Sequence, residues 1–458
     1  MLTDETIPSA AVTVDPAASP PAWFRPFAAW YATAVLVAGI AVAFVDRQAL
    51  ALLLEPIKAD LHASDTQMSL LYGFGFSLFY VLAGIPIARL ADRFNRRNII
   101  VVSILAWSVM TAFCGAARSF VMLLLGRVGV GVGEAGLNPA GMSMLADYFP
   151  KERLGRAMGV YSMGIYLGGG LAIVLGGLVE SALAARNPIV LPIVGTLHAW
   201  QVVFMVLGAP GLVLALLFLT VREPVRRSAT GALLTETSMP MREVLKYLRS
   251  HAWAYIGILL GFALMILVGY GVGAWIPAFL QRKFGWTTAQ IGTHYGPVVA
   301  LCGACGAVSG GAVASWLKRR GVAHANPLSA MFAFVALVPV TIAFPLVPTA
   351  TLALLLIAVM NYFAGFTFGG GYASMQEITP NRMRAVVGAL YSLTVNLIGA
   401  SLGPLSIALF TDRLFHDPTK LPRALALTCA IASPLAVLFL WIGLKHYSRA
   451  LAANEAYR

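Results

Sequence analysis

Four ionisable side chains stand within apolar runs that carry no other charge. Asp46 and Arg47 are neighbours in the first run of the chain, and Arg127 and Glu134 lie in the fourth. An ionised side chain at the centre of a bilayer costs roughly 2.5–3.5 kcal/mol on insertion scales, so such residues usually serve a function. Groups of this kind mark proton and ion pathways. The sequence therefore predicts a proton or ion pathway that uses these residues.

The depth of each group along its helix suggests how the four are arranged. At about 1.5 Å per residue, Asp46 and Arg127 fall roughly 7 and 9 Å from the membrane centre on the same side, so we expect them to pair. Glu134 falls almost at the centre, too far from Arg127 to pair, and is predicted to carry the proton. Arg47 faces either an anionic head group or the outer interface. The alternative is an ion network that only fastens the two helices together.

Composition places these groups in a membrane protein. Of the 458 residues, 59% are hydrophobic and 11% are charged, whereas soluble domains carry about 25% charged residues. A spanning helix needs about 20 apolar residues, and twelve stretches of the chain are long enough. The predicted fold class is an all-α integral membrane protein. The predicted spans are residues 28–54, 66–91, 98–117, 120–146, 157–183, 199–221, 251–280, 289–317, 327–346, 350–375, 385–411 and 423–445.

Basic residues concentrate in alternate connections between these spans. They are frequent after even-numbered spans, as at Arg96, Arg97, Arg319 and Arg320, and sparse after odd-numbered ones. By the positive-inside rule both termini are cytoplasmic, and we expect the protein in the inner (plasma) membrane. The net charge of +13 follows the membrane, and no nucleic-acid partner is predicted.

The longest polar stretch divides six spans from six. The predicted units are a disordered cytoplasmic tail (1–24), an N-terminal six-helix bundle (25–221), a linker (222–250), a C-terminal six-helix bundle (251–446) and a cytoplasmic tail (447–458). The two bundles resemble each other, because the Pro and Tyr-Ser pattern of residues 150–162 recurs in residues 380–392. This predicts parallel six-helix repeats with a central site between them.

The linker contains a predicted amphipathic helix. Its apolar residues share one helical face and its basic residues share the other, which suits a helix lying on an anionic inner leaflet. The apolar set is Met241, Val244, Leu245 and Leu248, and the basic set is Arg242, Lys246 and Arg249.

Three motifs resemble those of the major facilitator superfamily and, within it, the spinster family of sphingolipid and lysolipid transporters and their bacterial homologues. These are the adjacent acid and base in span 1, the loop ARLADRFNRR after span 2, and GRVGVGVGEAG in span 4. Ala88 and Asn95 replace the two usual glycines of the loop, and Ala172-Ile173 replace the Gly-Pro of the antiporter signature in span 5. The last departure weakens an inference of export.

The resemblance implies a fold of twelve helices in two halves, and roles for particular residues. Proton coupling is implied for Asp46 and Glu134 together with Arg127. A cytoplasmic gating role is implied for the loop residues Asp92, Arg93, Arg96 and Arg97, with Asp92 bracing the two halves. Spans 7, 10 and 11 line the central cavity in the superfamily. The substrate-binding candidates are therefore Arg47, Tyr270, Trp275, Asn361, Tyr362, Phe366 and Asn396.

The predicted function is secondary, proton-coupled transport of an amphipathic, lipid-like or hydrophobic organic anion by alternating access. Proton-coupled symport of small organic acids, such as sugar acids or aromatic acids, is the alternative, because symporters of that kind carry a similar span-1 motif. Midplane charges between similar halves favour alternating access over a channel. An enzyme is not predicted, since the sequence has no H-E-x-x-H, G-x-S-x-G or P-loop motif.

Three further expectations follow from this reading. No cofactor or metal is expected, because the proton gradient supplies the driving force. The expected partners are the small amphipathic or anionic substrate and the lipid bilayer. The protein is expected to be a monomer, and the direction of transport stays open.

Overall fold

The computed structural model describes residues 23–184, 188–191, 195–226, 241–380 and 383–456. Within them, twelve helical segments are long and apolar enough to cross a membrane. The predicted all-α membrane fold with twelve spans is confirmed. Most of the predicted N-terminal tail and residues 227–240 of the linker lie outside the described residues.

Several spans consist of more than one helix. Span 2 joins α3 to α4, span 4 joins α6 to α7, span 10 joins α14 to α15, and span 11 runs from α16 through α17 with two π-helical segments, Val395–Ser401 and Phe410–Phe415. A β-hairpin of β1 (Ile189–Leu191) and β2 (Gly195–Leu197) follows span 5. The helices are α1 Pro26–Leu52, α2 Leu54–Leu61, α3 Asp65–Tyr72, α4 Phe74–Arg93, α5 Arg96–Gly115, α6 Phe120–Glu134, α7 Leu137–Tyr148, α8 Lys151–Ala184, α9 Ala199–Leu219, α10 Met241–Ser250, α11 Ala252–Phe284, α12 Thr288–Arg319, α13 Ala325–Ala343, α14 Ala350–Phe366, α15 Gly370–Glu377, α16 Arg384–Thr394, α17 Leu402–Leu409 and α18 Leu421–Ala456.

The breaks in these spans occur where helices come close together or the chain turns. A Cβ atom on Gly73, between α3 and α4, would lie 2.7 Å from the carbonyl oxygen of Ser401 in span 11. Gly369, between α14 and α15, has φ +81, a conformation that glycine adopts readily. Discontinuous helices and π-helical turns are common where transporters bind solutes and ions. The broken spans therefore indicate a candidate binding site in the middle of the bundle.

The two halves of the bundle contact each other at the end where span 1 finishes, which we call the predicted outer end. Arg282 of span 7 donates from Nη1 to Asp65 Oδ2 (2.7 Å) and from Nη2 to Glu55 Oε1 (2.6 Å). Asp412 of span 11 accepts from the backbone N–H and the hydroxyl of Thr66, both at 2.7 Å. Charge-assisted hydrogen bonds are among the stronger polar contacts. They hold the halves together at this end.

At the opposite, predicted cytoplasmic end, the polar contacts of the described residues stay within one half. Arg96 pairs with Asp147 (2.5 Å) and Glu223 (2.7 Å) on the N-terminal side. Glu377 accepts from Lys318 (2.5 Å), as well as from Asn326 and Tyr447, on the C-terminal side. Cβ atoms built on Gly84, Gly155 and Gly159, which lie towards this end of spans 2 and 5, would meet no atom within 4 Å. Among the described residues, the charged contacts that join the two halves thus lie at the predicted outer end.

Replacing Arg282 by Gln is expected to shift the protein towards a state that opens at the predicted outer end. The variant loses charged contacts to two acids of the other half, a difference of about 1–3 kcal/mol between states. Distances between spin labels at the outer ends of the two halves would report the shift. Lys58→Gln is the matched control, because Lys58 contacts the same Asp65 (2.5 Å) from within one half. Equal outer distances in both variants would show that Arg282 does not hold the halves together.

The linker helix forms as predicted, and the side by which it docks on the bundle is not the same as its predicted apolar face. In α10, Val244 and Tyr247 are buried against the C-terminal half, whereas Met241 and Leu245 are exposed. The Tyr247 hydroxyl donates to the carbonyl of Ile378 at 3.0 Å. A tyrosine with one hydrogen-bonding end can pack as a core residue, so the docked side includes it and excludes Leu245.

Candidate functional site

Glycines in α6 bring span 4 close to its neighbours. A Cβ atom on Gly131 would lie 2.6 Å from the carbonyl oxygen of Phe76 in span 2, and one on Gly133 would lie 2.7 Å from the backbone nitrogen of Trp107 in span 3. Small residues permit such close approach of helices in membranes. The tight packing buries the side chains of Arg127 and Glu134.

Glu134 is the last residue of α6, directly before the break in span 4. Its Oε2 atom accepts from Arg47 Nη2 at 2.6 Å and from Arg47 Nε at 2.7 Å. The Glu134 side chain is 1% exposed and that of Arg47 is 15% exposed. A guanidinium that donates two hydrogen bonds to a carboxylate forms one of the stronger polar contacts in proteins. The two residues form a buried ion pair.

The predicted pairing of Asp46 with Arg127 is therefore corrected. Arg127 Nη1 donates to the backbone carbonyl of Asp46 at 3.3 Å, and the ion pair of the site joins Arg47 to Glu134 instead. Arg47, which was expected to face an anionic head group or the outer interface, is the basic partner of Glu134. A long Arg side chain on span 1 reaches across to the end of α6, which an estimate of depth along straight helices does not capture.

The Asp46 carboxyl group is buried beside this pair but is poorly satisfied. Thr111 of span 3 donates its hydroxyl to Asp46 Oδ2 at 3.2 Å. Asp46 Oδ1, Glu134 Oε1 and Arg127 Nε are buried and have no hydrogen-bond partner. Buried polar atoms without partners cost free energy. These three atoms are therefore available to bind a proton, a water molecule or a solute.

Aromatic rings surround the Arg47 guanidinium. Its Cζ atom lies 4.8 Å from the ring centroid of Phe44, 4.4 Å from that of Phe76 and 5.0 Å from that of Tyr80. A cation is attracted to the face of an aromatic ring within about 6 Å. These three rings, which we call the aromatic box, surround the guanidinium group of Arg47 with apolar surface that attracts a cation.

A chain of hydrogen bonds leads from the aromatic box to span 5. Asn138 of α7 donates to the Tyr80 hydroxyl at 3.3 Å, and the Tyr161 hydroxyl donates to Asn138 Oδ1 at 2.8 Å. Sequence reasoning missed these residues and the aromatic box. The spacing of Phe76 and Tyr80 by one helical turn in span 2 was the signal available, since residues at i and i+4 share a face.

A small central cavity adjoins the ion pair, between the two halves. Its volume of about 20 Å³ is enough for one water molecule. Three of the predicted substrate-binding residues, Arg47, Tyr270 and Asn396, line it, and Asn396 belongs to the π-helical segment Val395–Ser401 of span 11. The full lining is Phe44, Arg47, Gln48, Tyr72, Phe76, Ser77, Arg127, Tyr270, Asn396 and Ala400.

The structure places the other four candidates away from this cavity. Trp275 is buried and donates to the carbonyl of Pro404 at 3.1 Å. The Asn361 side-chain amide donates a hydrogen bond to the backbone carbonyl of Ile357 in its own helix. The rings of Tyr362 and Phe366 pack against each other at a tilt within span 10. The backbone carbonyls of both residues lie against glycines of span 8. Aromatic residues in a span look alike in sequence whether they pack against helices or line a cavity.

The predicted gating loop divides into exposed and buried parts. Asp92 and Arg93 are exposed, and no hydrogen bond to Asp92 is found among the described residues. Arg96 is buried in the pairings with Asp147 and Glu223, and the Arg97 backbone N–H also donates to Glu223 at 2.9 Å. A brace between the halves through Asp92 therefore stays a prediction. Across the described ranges no His, Cys, Asp and Glu residues are grouped to hold a metal ion.

Comparison with known proteins identifies the family. The profile of the Major Facilitator Superfamily matches residues 36–404, which include all four charged residues and the aromatic box. The chain belongs to the major facilitator superfamily. It is therefore a multi-pass membrane transporter, and the resemblance on which the sequence analysis relied is confirmed at this level.

Relatives that match over 80% or more of their own length are transporters or an efflux pump. A solved structure of a bacterial homologue of the human lysosomal transporter Spinster, inward-facing and unoccupied, superposes with a TM-score of 0.70 at 29% identity, covering 94% of this chain and 99% of that one. An MFS-type efflux pump of Mycolicibacterium smegmatis is 29% identical, over 93% of this chain and 94% of the relative. A probable L-galactonate transporter of Escherichia coli is 26% identical, over 81% and 80%. The spinster likeness is confirmed, and the relatives include a spinster homologue and a probable sugar-acid transporter.

Proposed function

We propose that this superfamily transporter moves an amphipathic organic anion together with a proton by alternating access. The observation that carries the proposal is the buried ion pair of Arg47 and Glu134, which borders the central cavity between the halves. The proton gradient is the driving force, and no cofactor takes part. We place the protein in the inner (plasma) membrane with both termini in the cytoplasm, acting as a monomer.

The ion pair supplies a mechanism for coupling. When Glu134 takes up a proton, its attraction for the Arg47 guanidinium falls. Arg47 is then free to bind an anionic group that enters the cavity. Release of the solute and the proton on the other side lets the pair form again, which neutralises both buried charges for the return step. Proton and anion bind together, and the pair with its ligands is neutral both in the empty state and in the fully loaded state.

The walls of the site favour a solute with an apolar part. The aromatic box and the rings of Tyr72 and Tyr270 occupy most of the surface next to Arg47. Besides Arg47 and the tyrosine hydroxyls, the polar side chains there are Gln48, which accepts from the Tyr72 hydroxyl at 2.7 Å, Ser77, Arg127 and Asn396. Sites that are mostly apolar with a few placed polar groups suit amphipathic ligands. The similarity to a sphingosine-1-phosphate transporter of Xenopus tropicalis, 25% identical over 85% of this chain, supports the same class of solute.

The second candidate is proton-coupled symport of a small organic acid. The similarity to a probable L-galactonate transporter favours it. The same exchange of partners at Arg47 would serve a sugar acid, whose hydroxyl groups would need more hydrogen-bonding partners than an apolar tail does. Symport driven by an inward proton gradient runs as uptake, so export, which the name of the efflux-pump relative describes, would require exchange of the anion for a proton instead.

Competition in proteoliposomes distinguishes the two candidates. Counterflow of a labelled anionic lysophospholipid should be inhibited by unlabelled lysophospholipid at concentrations well below those at which L-galactonate acts. Inhibition by both at the same concentration, or transport of L-galactonate alone, would contradict the amphipathic assignment. Counterflow also separates a carrier from a channel, because only a carrier exchanges labelled for unlabelled solute without net flux.

A further inference from the structure

Helix α10 is fixed to the C-terminal half by one side only. Val244 is 1% exposed and Tyr247 is 6% exposed. The Tyr247 ring packs 6.4 Å from the ring of Tyr255 in span 7, and both hydroxyls donate to the carbonyl of Ile378, at 3.0 and 3.1 Å. This docking sets the rotation of α10 about its own axis. The directions of its remaining side chains follow from that rotation.

Two further sides of α10 are exposed and differ in chemistry. Met241 and Leu245 are 57% and 59% exposed and stand one turn apart. Arg242, Lys246 and Arg249 are also exposed. Over the described part of the chain, no carboxylate forms an ion pair with any of the three. An apolar pair and a basic trio thus lie free at the end of the bundle that is predicted to face the cytoplasm.

The order of these sides around α10 determines which of them can face the bilayer. At about 100° per residue, the apolar pair lies roughly a quarter turn from the docked side, and the basic trio lies roughly a quarter turn further on. Glu243 occupies the fourth side, almost opposite Leu245. With the docked side against the bundle, the apolar pair can point into the bilayer only if Glu243 points to the aqueous phase. The basic trio then lies level with the lipid head groups.

We propose that α10 binds anionic phospholipid head groups of the cytoplasmic leaflet through Arg242, Lys246 and Arg249, with Met241 and Leu245 inserted among the acyl chains. Interfacial helices with an apolar face and basic residues beside it bind membranes in this way. Trp253, just after α10 at the start of span 7, is 58% exposed, as expected of an aromatic residue at a membrane interface. Complementary charge selects anionic over neutral lipid. This site is separate from the transport site in the middle of the bundle.

Fluorescence quenching in lipid nanodiscs tests the direction of each side. An environment-sensitive label is attached to Leu245→Cys or to Glu243→Cys in the full-length protein, with Cys302 and Cys305, the two thiols that are not buried, replaced by Ser. Lipids with brominated acyl chains should quench the label at position 245 in discs that contain phosphatidylglycerol, and should leave the label at 243 unquenched. An unquenched label at 245, or equal quenching at both positions, would overturn the proposal.

Charge-neutralised variants test the selectivity for anionic lipid. The triple variant Arg242→Gln, Lys246→Gln, Arg249→Gln should lose about fivefold in phosphatidylglycerol affinity per charge, or roughly a hundredfold in total. Exchange of a labelled phosphatidylglycerol between mixed micelles and the purified protein measures this affinity. The matched control removes three charges at the predicted outer end, Arg413→Gln, Lys420→Gln and Arg423→Gln, and should keep it. Equal loss in both triple variants, or no loss in either, would overturn the proposal.

Discussion

Replacing Arg47 by Gln is expected to destabilise the folded protein by about 3–5 kcal/mol, because removal of one member of a buried ion pair leaves the other charge uncompensated. The Glu134 carboxylate is 1% exposed and has no other ion-pair partner within 4 Å among the described residues. Protonation would then neutralise it, so the loss of stability should shrink as the pH falls. Thermal unfolding in detergent at several pH values measures both effects.

The double variant Arg47→Gln, Glu134→Gln is the informative comparison for this pair. It removes both charges together, and replacing a whole buried pair costs much less than breaking it. We expect it to unfold near the wild-type temperature. Arg423→Gln, at an exposed position, controls for the loss of a surface charge. Equal unfolding temperatures for Arg47→Gln and the double variant would show that the two side chains are not paired in the protein.

Glu134→Gln is expected to abolish accumulation of solute while preserving its exchange. The amide resembles the protonated acid, so Arg47 stays free to bind the anion, but no proton is gained or released. One pH unit is worth 1.36 kcal/mol, so one coupled proton sustains about a tenfold solute gradient in the wild type. The variant should equilibrate the solute and sustain no gradient. Uptake into proteoliposomes with and without an imposed pH difference measures both properties.

Asp46→Asn provides the comparison for this second prediction. Asp46 is as deeply buried as Glu134, but it accepts from Thr111 and forms no ion pair with Arg47. If Asp46→Asn alone lost accumulation while Glu134→Gln concentrated solute like the wild type, the proton would have to be assigned to Asp46. That outcome would contradict the coupling mechanism that rests on Glu134.

The number and order of the spans could be predicted from the sequence because spanning requires about 20 apolar residues in a row, a property of the chain alone. The four charged residues of the site were also identifiable, because charges within apolar runs are rare. The breaks after Glu134 and around Gly369 and the π-helical segment at Asn396 were not predicted. They depend on contacts with neighbouring spans, which the sequence of one span does not record.

The prediction that Asp46 pairs with Arg127 was wrong for a geometric reason. Depth along a straight helix placed Asp46 level with Arg127, yet Arg127 reaches only the Asp46 backbone carbonyl. The Arg47 side chain is long enough to reach the end of α6, where it meets Glu134. Likewise, the sequence did not distinguish Trp275 from Tyr270 as a cavity residue. The Trp275 indole N–H donates to the Pro404 carbonyl. Side-chain direction, which follows from tertiary packing, decides these cases.

The central claim is that anion and proton bind together, through Glu134 and Arg47. Its most direct test is the internal pH of proteoliposomes, followed with a trapped dye while anionic lysophospholipid is added outside and no pH difference is imposed. Wild-type vesicles should acidify inside as labelled solute enters, and Glu134→Gln vesicles should exchange the solute with no change in pH. Entry of solute through the wild-type protein without acidification, or acidification with the Glu134→Gln variant, would contradict the claim.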